Sequence, residues 1–364
     1  MSHATNCWLC VRDFVRGAVP LRKGESVGHK GGSTYGCRLV HRGKRIAIAE
    51  SFIFNWKRLE KSVTAVLELT RRILMPELIA GLIDVFADKP LTGNPLAVVQ
   101  AADELSEEQM RRLAGEFNQA ETTFILESSR ADRKLRSFTA SGVEIFGAGH
   151  NALGAWLWLG EHGDLGPLTT PQRFYQEIGA DVLPIELEKI GARVHGRMRQ
   201  APLHLLNPLG SVDPLAKALG LDPHEILSQP APRPAYTGAA HLLVRIVDPE
   251  TVDKANPAAK ELLGILKAAG AEGCYIYAFD ANRPQTAYAR FFNPTVGLWE
   301  DAATGTAAGP LAAYLASEGL IANNELAIEQ GTKMGRRSIL RIRVNLEPEI
   351  SGTGIVVLRG VLRL

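Results

Sequence analysis

Four polar side chains of types that orient ligands or move protons fall at two similar places in this sequence. Glu121 comes just before a predicted strand, and His150 begins a predicted apolar helix. Asp301 and Thr306 lie around the start of a second apolar helix. Carboxyl, imidazole and hydroxyl groups are common catalytic groups in general acid–base reactions. The four residues are therefore candidates for one functional site.

Each candidate also has an ordinary structural interpretation. Glu121 could form a salt bridge or a cap, and His150 could be a structural histidine at a helix N-terminus. Asp301 and Thr306 could simply cap the second helix, and capping would not exclude contact with a ligand. The joint occurrence of all four at equivalent points favours a functional site.

Both apolar helices are predicted to begin at a glycine, Gly149 in the first and Gly305 in the second. The first turn of a helix presents unpaired N–H groups and a partial positive charge, and glycine lets a carboxylate approach that backbone closely. Two such helix starts would form an anion-binding cleft between two halves of the protein, where small ligands usually bind. Gly149 and Gly305 are thus candidate binding residues.

The elements that would position this site follow from apolar periodicity, which is regular after Pro76. Predicted strands cover residues 79–86, 96–99, 122–126, 134–139, 241–247, 274–279 and 286–292, with more strand pattern over 172–199. Predicted helices cover residues 106–117, 150–160, 214–219 and 257–269, together with the helix after Gly305.

The two apolar helices belong to a longer internal repeat. Gly149-His150-Asn151-Ala152 aligns with Gly305-Thr306-Ala307-Ala308, and Trp158 and Tyr314 match at the same offset. A repeat of this length indicates a duplicated domain. A helix that is apolar nearly all round must be buried. The sequence therefore predicts an α+β protein of two similar domains, residues 75–200 and 201–364, each a curved, mainly antiparallel sheet around a central helix. The final strands could cross to the first domain.

Residues 1–74 differ from the rest of the chain. They carry 14 Lys and Arg against 5 Asp and Glu and lack a regular apolar period, although residues 52–74 could form one amphipathic helix. We expect a poorly structured basic extension there, and we hypothesise that it is not translated, because Met75-Pro76-Glu77 resembles a start. Cys7, Cys10, His29, Cys37 and His41 suggest a zinc site, but their spacing fits no common finger, so an incidental cluster is favoured.

Composition excludes several classes of function. The body is acidic, which argues against nucleic-acid binding, and it holds a single cysteine, Cys274, which suits a reducing compartment. No apolar run reaches the roughly 20 residues needed to span a bilayer, and no signal peptide is evident. We expect a cytoplasmic protein with no membrane or nucleic-acid partner.

The order of several motifs resembles the PhzF-like (phenazine biosynthesis) family of isomerases, which has the diaminopimelate-epimerase-like fold. The resemblance covers roughly residues 77–364. Its markers are Asp84-Val85-Phe86, Gly93-Asn94-Pro95, Asn118-Gln119-Ala120-Glu121-Thr122-Thr123-Phe124, Phe146-Gly147-Ala148-Gly149-His150 and Glu300-Asp301-Ala302-Ala303-Thr304-Gly305-Thr306-Ala307.

The resemblance implies a cofactor-free and metal-free isomerase, usually a homodimer, with its active site between the two halves. By motif match Glu121 would be the proton-shuttling residue, and His150, Asp301 and Thr306 would orient a small carboxylated substrate. Raising a carboxyl pKa in a partly dry cleft would suit one group to act as both acid and base. The substrate itself is not indicated.

Two positions depart from the family pattern. Thr306 stands where serine is usual, and Ala302 stands where proline is often found, so the substrate fit could differ. Fold relatives that racemise amino acids use a pair of cysteines, and the matching positions are Ala148 and Thr304. A two-thiol racemase is therefore disfavoured.

Two other functions remain open. Gly147 and Gly149 superficially suggest dinucleotide binding, hence a nicotinamide-dependent oxidoreductase, but Gly154 is too distant and no βαβ alternation follows. The alternative from another class is a non-catalytic carboxylate-binding protein of the same fold. Glu121 argues against it, because a pure binder has no need of a desolvated carboxyl.

Overall fold

The computed structural model describes residues 77–279, 285–295 and 298–364. The described residues belong to one compact unit, Arg72–Leu364. The basic extension, the Cys/His cluster within it, the helix predicted over 52–74 and the proposed start at Met75 lie outside the described residues.

The described chain contains seventeen strands and six α-helices, and three short 3-10 helices. The strands are β1 (Glu77–Val85), β2 (Asn94–Val99), β3 (Glu121–Leu126), β4 (Arg133–Thr139), β5 (Glu144–Ile145), β6 (Gln172–Ile178), β7 (Asp181–Ile190), β8 (Arg193–Arg199), β9 (His204–Leu205), β10 (Arg233–Tyr236), β11 (Ala240–Arg245), β12 (Gly273–Phe279), β13 (Thr286–Asn293), β14 (Leu298–Asp301), β15 (Glu325–Gln330), β16 (Ser338–Val344) and β17 (Pro348–Arg363). The α-helices are α1 (Glu107–Phe117), α2 (His150–His162), α3 (Asp213–Leu219), α4 (Pro249–Lys254), α5 (Ala259–Ala269) and α6 (Gly305–Ser317), and the 3-10 helices are Pro223–Glu225, Ala322–Asn324 and Thr332–Met334.

The first half of the chain closes into a ring of strands. Following the hydrogen-bonded pairs, β1 joins β2, β2 joins β3, β3 joins β4 and β4 joins β6. From β6 the ring continues through β7 and β8 to β17, which returns to β1. Only the β2–β3 and β4–β6 pairs of this ring are parallel. Closure removes the unpaired edges that an open sheet would expose.

Helix α2 lies inside this ring and contacts β1, β2, β3, β7, β8 and β17. Ten of its thirteen residues are buried, including the full indole rings of Trp156 and Trp158. An α-helix with apolar residues on every side can lose its water only when strands surround it. The strands of the ring therefore exclude water from this helix, and the side chains of the helix fill the interior of the ring.

The second half builds a similar arrangement around α6. Strands β9 to β13 continue through β15 and β16 to the start of β17, with β14 paired beside β13. Helix α6 contacts β10, β11, β15, β16 and β17. Because β17 pairs with β16 over its first residues and with β8 and β1 further on, it belongs to both sheets. One strand thus fixes the two halves against each other.

The α+β architecture and both buried helices match the sequence-based prediction. Every helix predicted within the described residues is present, and the capping sequence at Ser106 forms a capping box with Gln109. The boundary between two similar domains, placed at residues 200 and 201, stays a prediction. The sequence analysis expected final strands that could cross to the first domain, but it did not locate strands β15 to β17, which complete both sheets. Across the described residues, no helix has the length and hydropathy needed to cross a membrane.

Gly81 gives a direct test of the contact between α2 and the ring. A Cβ atom added there would lie 2.0 Å from the Leu358 carbonyl oxygen of β17 and 2.7 Å from the Trp158 ring. Gly81→Ala should lower the free energy of unfolding by about 1–3 kcal/mol, the usual range for overpacking. Gly264→Ala is the control, because Gly264 lies in α5 with open space around it and alanine should there stabilise the helix by up to about 1 kcal/mol. Urea titration of both variants measures this, and equal stability would contradict the packing described.

Candidate active site

One cavity of about 810 Å³ contains all six residues that the sequence marked as site candidates. Its walls come from both halves of the chain: the start of β3 and the start of α2 on one side, and β11, β14 and the start of α6 on the other. The six residues are Glu121, Gly149, His150, Asp301, Gly305 and Thr306. Their placement together is a structural fact, whereas their individual roles remain predictions.

The starts of α2 and α6 meet at this cavity. A Cβ atom added to Gly305 would lie 3.8 Å from the Cα atom of Gly149, so the two backbones approach each other closely. Neither helix has a side chain that caps its first turn. The first-turn N–H groups and the positive ends of two helix dipoles are therefore available to an anion in the cavity.

Glu121 and His150 face each other on the side of the first half. The distance from Glu121 Oε2 to His150 Nδ1 is 3.9 Å, and 19% of the Glu121 side chain is exposed. Within the described part of the protein, neither Glu121 Oε2 nor His150 Nε2 has a hydrogen-bond partner. Burial raises the pKa of Glu121, while His150 opposes this and the charge of Asp301 adds to it. Burial also lowers the pKa of His150. Burial thus disfavours the charged form of both groups, the carboxylate of Glu121 and the imidazolium of His150.

Asp301 is held by residues from both halves. Its Oδ1 accepts a hydrogen bond of 2.7 Å from Asn94 Nδ2, and its Oδ2 accepts one of 2.6 Å from the Thr304 hydroxyl. Gln330 Nε2 donates to the Asp301 carbonyl and to Thr304 Oγ1, and Tyr275 donates to Gln330 Oε1. Burial raises the pKa of Asp301 to about 6, although the Thr304 and Asn94 hydrogen bonds oppose that rise. This network fixes the carboxylate in one orientation.

Thr306 is constrained from two sides. Its hydroxyl oxygen lies 3.0 Å from His241 Nε2. Its methyl carbon lies 3.9 Å and 3.8 Å from the positions where Cβ atoms would stand on Gly147 and Gly149. The methyl group that distinguishes threonine from the usual serine therefore packs over the glycines before α2.

The alternative that Asp301 and Thr306 cap the second helix is wrong. The N-cap residue of α6 is Thr304, and no side chain caps that helix. Asp301 instead accepts the Thr304 hydroxyl, and Thr306 bonds His241 on β11. Both residues therefore line the cavity without capping the helix.

Sequence reasoning missed three polar residues that hydrogen-bond Asp301, Thr304 or Thr306. Asn94 was interpreted only as part of a turn, and His241 only as the start of an apolar strand. Gln330 was not considered. The Gly93-Asn94-Pro95 motif was a signal for the first, since that motif marks the family resemblance. The partners of His241 and Gln330 are distant in the chain, so no local pattern indicated their roles.

A metal centre has no obvious set of ligands in the described ranges. Across residues 77–279, 285–295 and 298–364, no three His, Cys, Asp or Glu side chains are grouped so that they could hold a metal ion. Cys274 is buried and its pKa is raised to about 12, so its thiol is not a ready ligand or nucleophile. The polar groups that the cavity does present are suited to hydrogen bonding and proton transfer.

A family model described as "Phenazine biosynthesis-like protein" matches residues 83–360. The chain belongs to the phenazine biosynthesis-like family. Among its relatives, trans-2,3-dihydro-3-hydroxyanthranilate isomerase from Pseudomonas chlororaphis is 34% identical over 295 residues, which is 78% of this chain and 98% of the relative. The enzyme of the same name from Pseudomonas aeruginosa is 32% identical over 76% of this chain and 96% of its own length. This phenazine biosynthesis-like protein is thus an enzyme of an isomerase family.

Solved structures agree with this assignment. A PhzF-family protein from Bacillus anthracis superposes with a TM-score of 0.69 at 26% identity, covering 79% of this chain and 99% of the other. A hydroxyproline epimerase from Agrobacterium vitis superposes with a TM-score of 0.56 at 12% identity and covers 79% of this chain and 91% of its own. The second likeness concerns the fold alone. The phenazine biosynthesis-like chain therefore has the epimerase-like fold expected from its motifs.

The environment of Asp301 predicts a pH dependence of stability. A carboxyl whose pKa is raised in the folded state stabilises the protein at low pH, and that contribution is lost as the pH rises from about 3.8 to about 6. A rise of two pKa units corresponds to about 3 kcal/mol. Relative to Asp301→Asn, the wild type should therefore lose up to about 3 kcal/mol of unfolding free energy between pH 4 and pH 7. Denaturant titrations across this range measure the difference, with the exposed Asp88→Asn as the matched loss of a carboxylate. A difference between wild type and Asp301→Asn that stays constant with pH would contradict the burial described.

Proposed function

We propose that this protein isomerises a small carboxylated substrate, with Glu121 removing a proton from one carbon atom and returning it to another. In such a reaction a C–H bond breaks, the adjacent double bond moves, and a new C–H bond forms elsewhere in the same molecule. Protons and electrons balance within the substrate. Glu121 begins as the carboxylate, becomes the carboxylic acid in the intermediate, and ends as the carboxylate again.

The observation that carries this proposal is the unpartnered carboxyl oxygen of Glu121 inside the cavity between the two helix starts. Glu121 Oε2 is buried and has no hydrogen-bond partner among the described residues, and burial raises the pKa of the group. An efficient general acid or base has a pKa near the working pH. A carboxyl group in this environment can therefore accept a proton and release it again without a second catalytic residue.

The two helix starts supply the site for the substrate's carboxylate. A ligand anion between Gly149 and Gly305 would receive first-turn N–H groups from α2 and α6, and it would place the rest of the ligand towards Glu121, which lines the same cavity. His150 and Asp301 would orient polar groups of the ligand, since His150 Nε2 is unpartnered within the described chain and Asp301 is fixed by Asn94. Binding energy at the carboxylate would thereby position the reacting carbon atoms.

The class of substrate is supported by the names of the relatives. Trans-2,3-dihydro-3-hydroxyanthranilate, which those isomerases are named for, is an unsaturated ring that carries a carboxylate, an amine and a hydroxyl group. The cavity combines a site for an anion with the aromatic ring of Phe291 and the polar side chain of Asn293. We therefore propose a cyclic, unsaturated carboxylate that carries further polar groups.

Solvent deuterium exchange tests the role of Glu121. Wild-type protein should incorporate deuterium from D2O into a carbon position of its substrate, screened among cyclic unsaturated carboxylates. Glu121→Gln should reduce the rate by at least roughly a hundredfold, since a positioned general acid–base group contributes about 10²–10⁴. Mass spectrometry and proton NMR measure the incorporated deuterium.

The matched control is Glu116→Gln, an exposed glutamate on α1 that should exchange at the wild-type rate. Equal exchange by wild type and Glu121→Gln would disprove the assignment of Glu121. A wild-type protein that binds these carboxylates, as shown by a raised melting temperature, yet neither isomerises them nor exchanges deuterium would instead be a carboxylate-binding protein.

A further inference from the structure

His241 is a buried histidine in the second half of the chain, and its only polar contact among the described residues is with Thr306. It lies on β11 with 2% of its surface exposed, and its ring packs edge-on against Phe291 with the centroids 5.0 Å apart. Its Nε2 atom lies 3.0 Å from Thr306 Oγ1, and its Nδ1 atom is buried without a partner in the described structure. The Nδ1 edge of the imidazole ring is thus buried without a partner, and its Nε2 edge contacts the Thr306 hydroxyl group at the start of α6.

The unpartnered Nδ1 atom decides which ring nitrogen carries the proton. Burial lowers the pKa of His241 to about 3, so the ring is neutral and bears a single N–H group near neutral pH. A proton on Nδ1 would leave a buried N–H donor with no acceptor, which is rarer in proteins than a buried acceptor without a donor. A proton on Nε2 would form the observed contact as a hydrogen bond from His241 to Thr306. The Nε2–H tautomer is therefore favoured.

This tautomer determines what the Thr306 hydroxyl can do. Its oxygen accepts the hydrogen bond from His241, so its own hydrogen atom needs another acceptor. The methyl group of Thr306 packs over Gly147 and Gly149, which limits rotation of the side chain. Because Thr306 also lines the cavity between the two helix starts, its O–H group can donate to an anion there.

We propose that His241 is a positioning residue that turns the Thr306 hydroxyl into a hydrogen-bond donor for the substrate's carboxylate. The inference rests on the proposed function, because it adds a hydroxyl donor to the backbone N–H donors that α2 and α6 provide at the carboxylate site. It also explains why a histidine occupies an otherwise apolar strand segment. A charged imidazole is unsuited to this dry position, whereas a neutral one supplies a donor of fixed direction.

The first test needs no ligand. In protein labelled with ¹⁵N-histidine, the two nitrogen shifts and their couplings to ring protons distinguish the Nε2–H from the Nδ1–H tautomer, and His241→Gln identifies the signal. We expect Nε2–H at pH 7, with a changed Nε2 shift in Thr306→Val. An Nδ1–H tautomer would overturn the proposal, because Thr306 would then have to donate its hydrogen atom to His241.

The second test measures binding of 3-hydroxyanthranilate, the aromatic counterpart of the compound in the relatives' names, by calorimetry. Thr306→Val and His241→Leu should each weaken binding by roughly tenfold, the effect of losing a hydrogen bond to a charged group. His241→Gln keeps an N–H group near the position of Nε2 and should restore most of the affinity. In the double variant the two losses should not add, since His241 acts through Thr306. Additive losses, or equal weakening by His241→Gln and His241→Leu, would indicate a merely structural role.

The binding measurement is repeated with Glu121→Gln in every variant. The coupling between His241 and Thr306 should be the same in this background, because it concerns the carboxylate rather than proton transfer. Two failures can therefore be told apart: deuterium exchange that does not depend on Glu121, and binding losses at His241 and Thr306 that are additive. The first would overturn the proposed function and the second would overturn the proposal for His241.

Discussion

The meeting of two buried helix N-termini is the constraint on which the rest of the structure depends. Gly149 and Gly305 lie close enough that a side chain on Gly305 would press against Ile350, 3.1 Å from the added Cβ atom, and reach the backbone of Gly149. Neither first turn has a capping side chain. Uncapped N–H groups in a buried place need an anion or water to replace the missing partner. A carboxylate bound as proposed would satisfy this requirement, so the electrostatics of the proposed site follow from the fold.

Holding two helix starts together requires that the two halves do not move apart. Strand β17 pairs with β16 of the second half and with β8 and β1 of the first, which ties the sheets through backbone hydrogen bonds. The side chain of Asn94 adds a second connection, because it donates to Asp301 and to the carbonyl of Ala303. Arg336 adds a third by pairing with the buried Asp84 and donating to the Gly93 carbonyl. These contacts make the geometry of the cavity a property of the whole fold.

The parts of the fold that could be predicted from sequence are those with a local cause. Helices α2 and α6 were predicted because they are apolar on every side, and their glycine starts followed from the repeat. The contact of Asn94 with Asp301 joins residues 207 positions apart, and that of His241 with Thr306 joins residues 65 apart, so no period or motif spacing shows them. Strand β16 alternates buried and exposed residues and so carried a local signal. The pairing of β17 with both sheets did not, because one sequence cannot show which strands lie beside it.

Glu121 and Asp301, two of the acidic residues that line the cavity, differ in the hydrogen-bond donors that surround them. Asp301 receives hydrogen bonds from Asn94 and Thr304, which favour its charged form and oppose the effect of burial. The Oε2 atom of Glu121 receives none among the described residues, and the charge of Asp301 raises its pKa further. Burial and the charge of Asp301 therefore make Glu121 hold a proton more readily than a glutamate in water does. A substrate carboxylate between the helix starts would add negative charge and increase this tendency. In the proposed reaction, binding of the anion would thus itself prepare Glu121 to take up a proton.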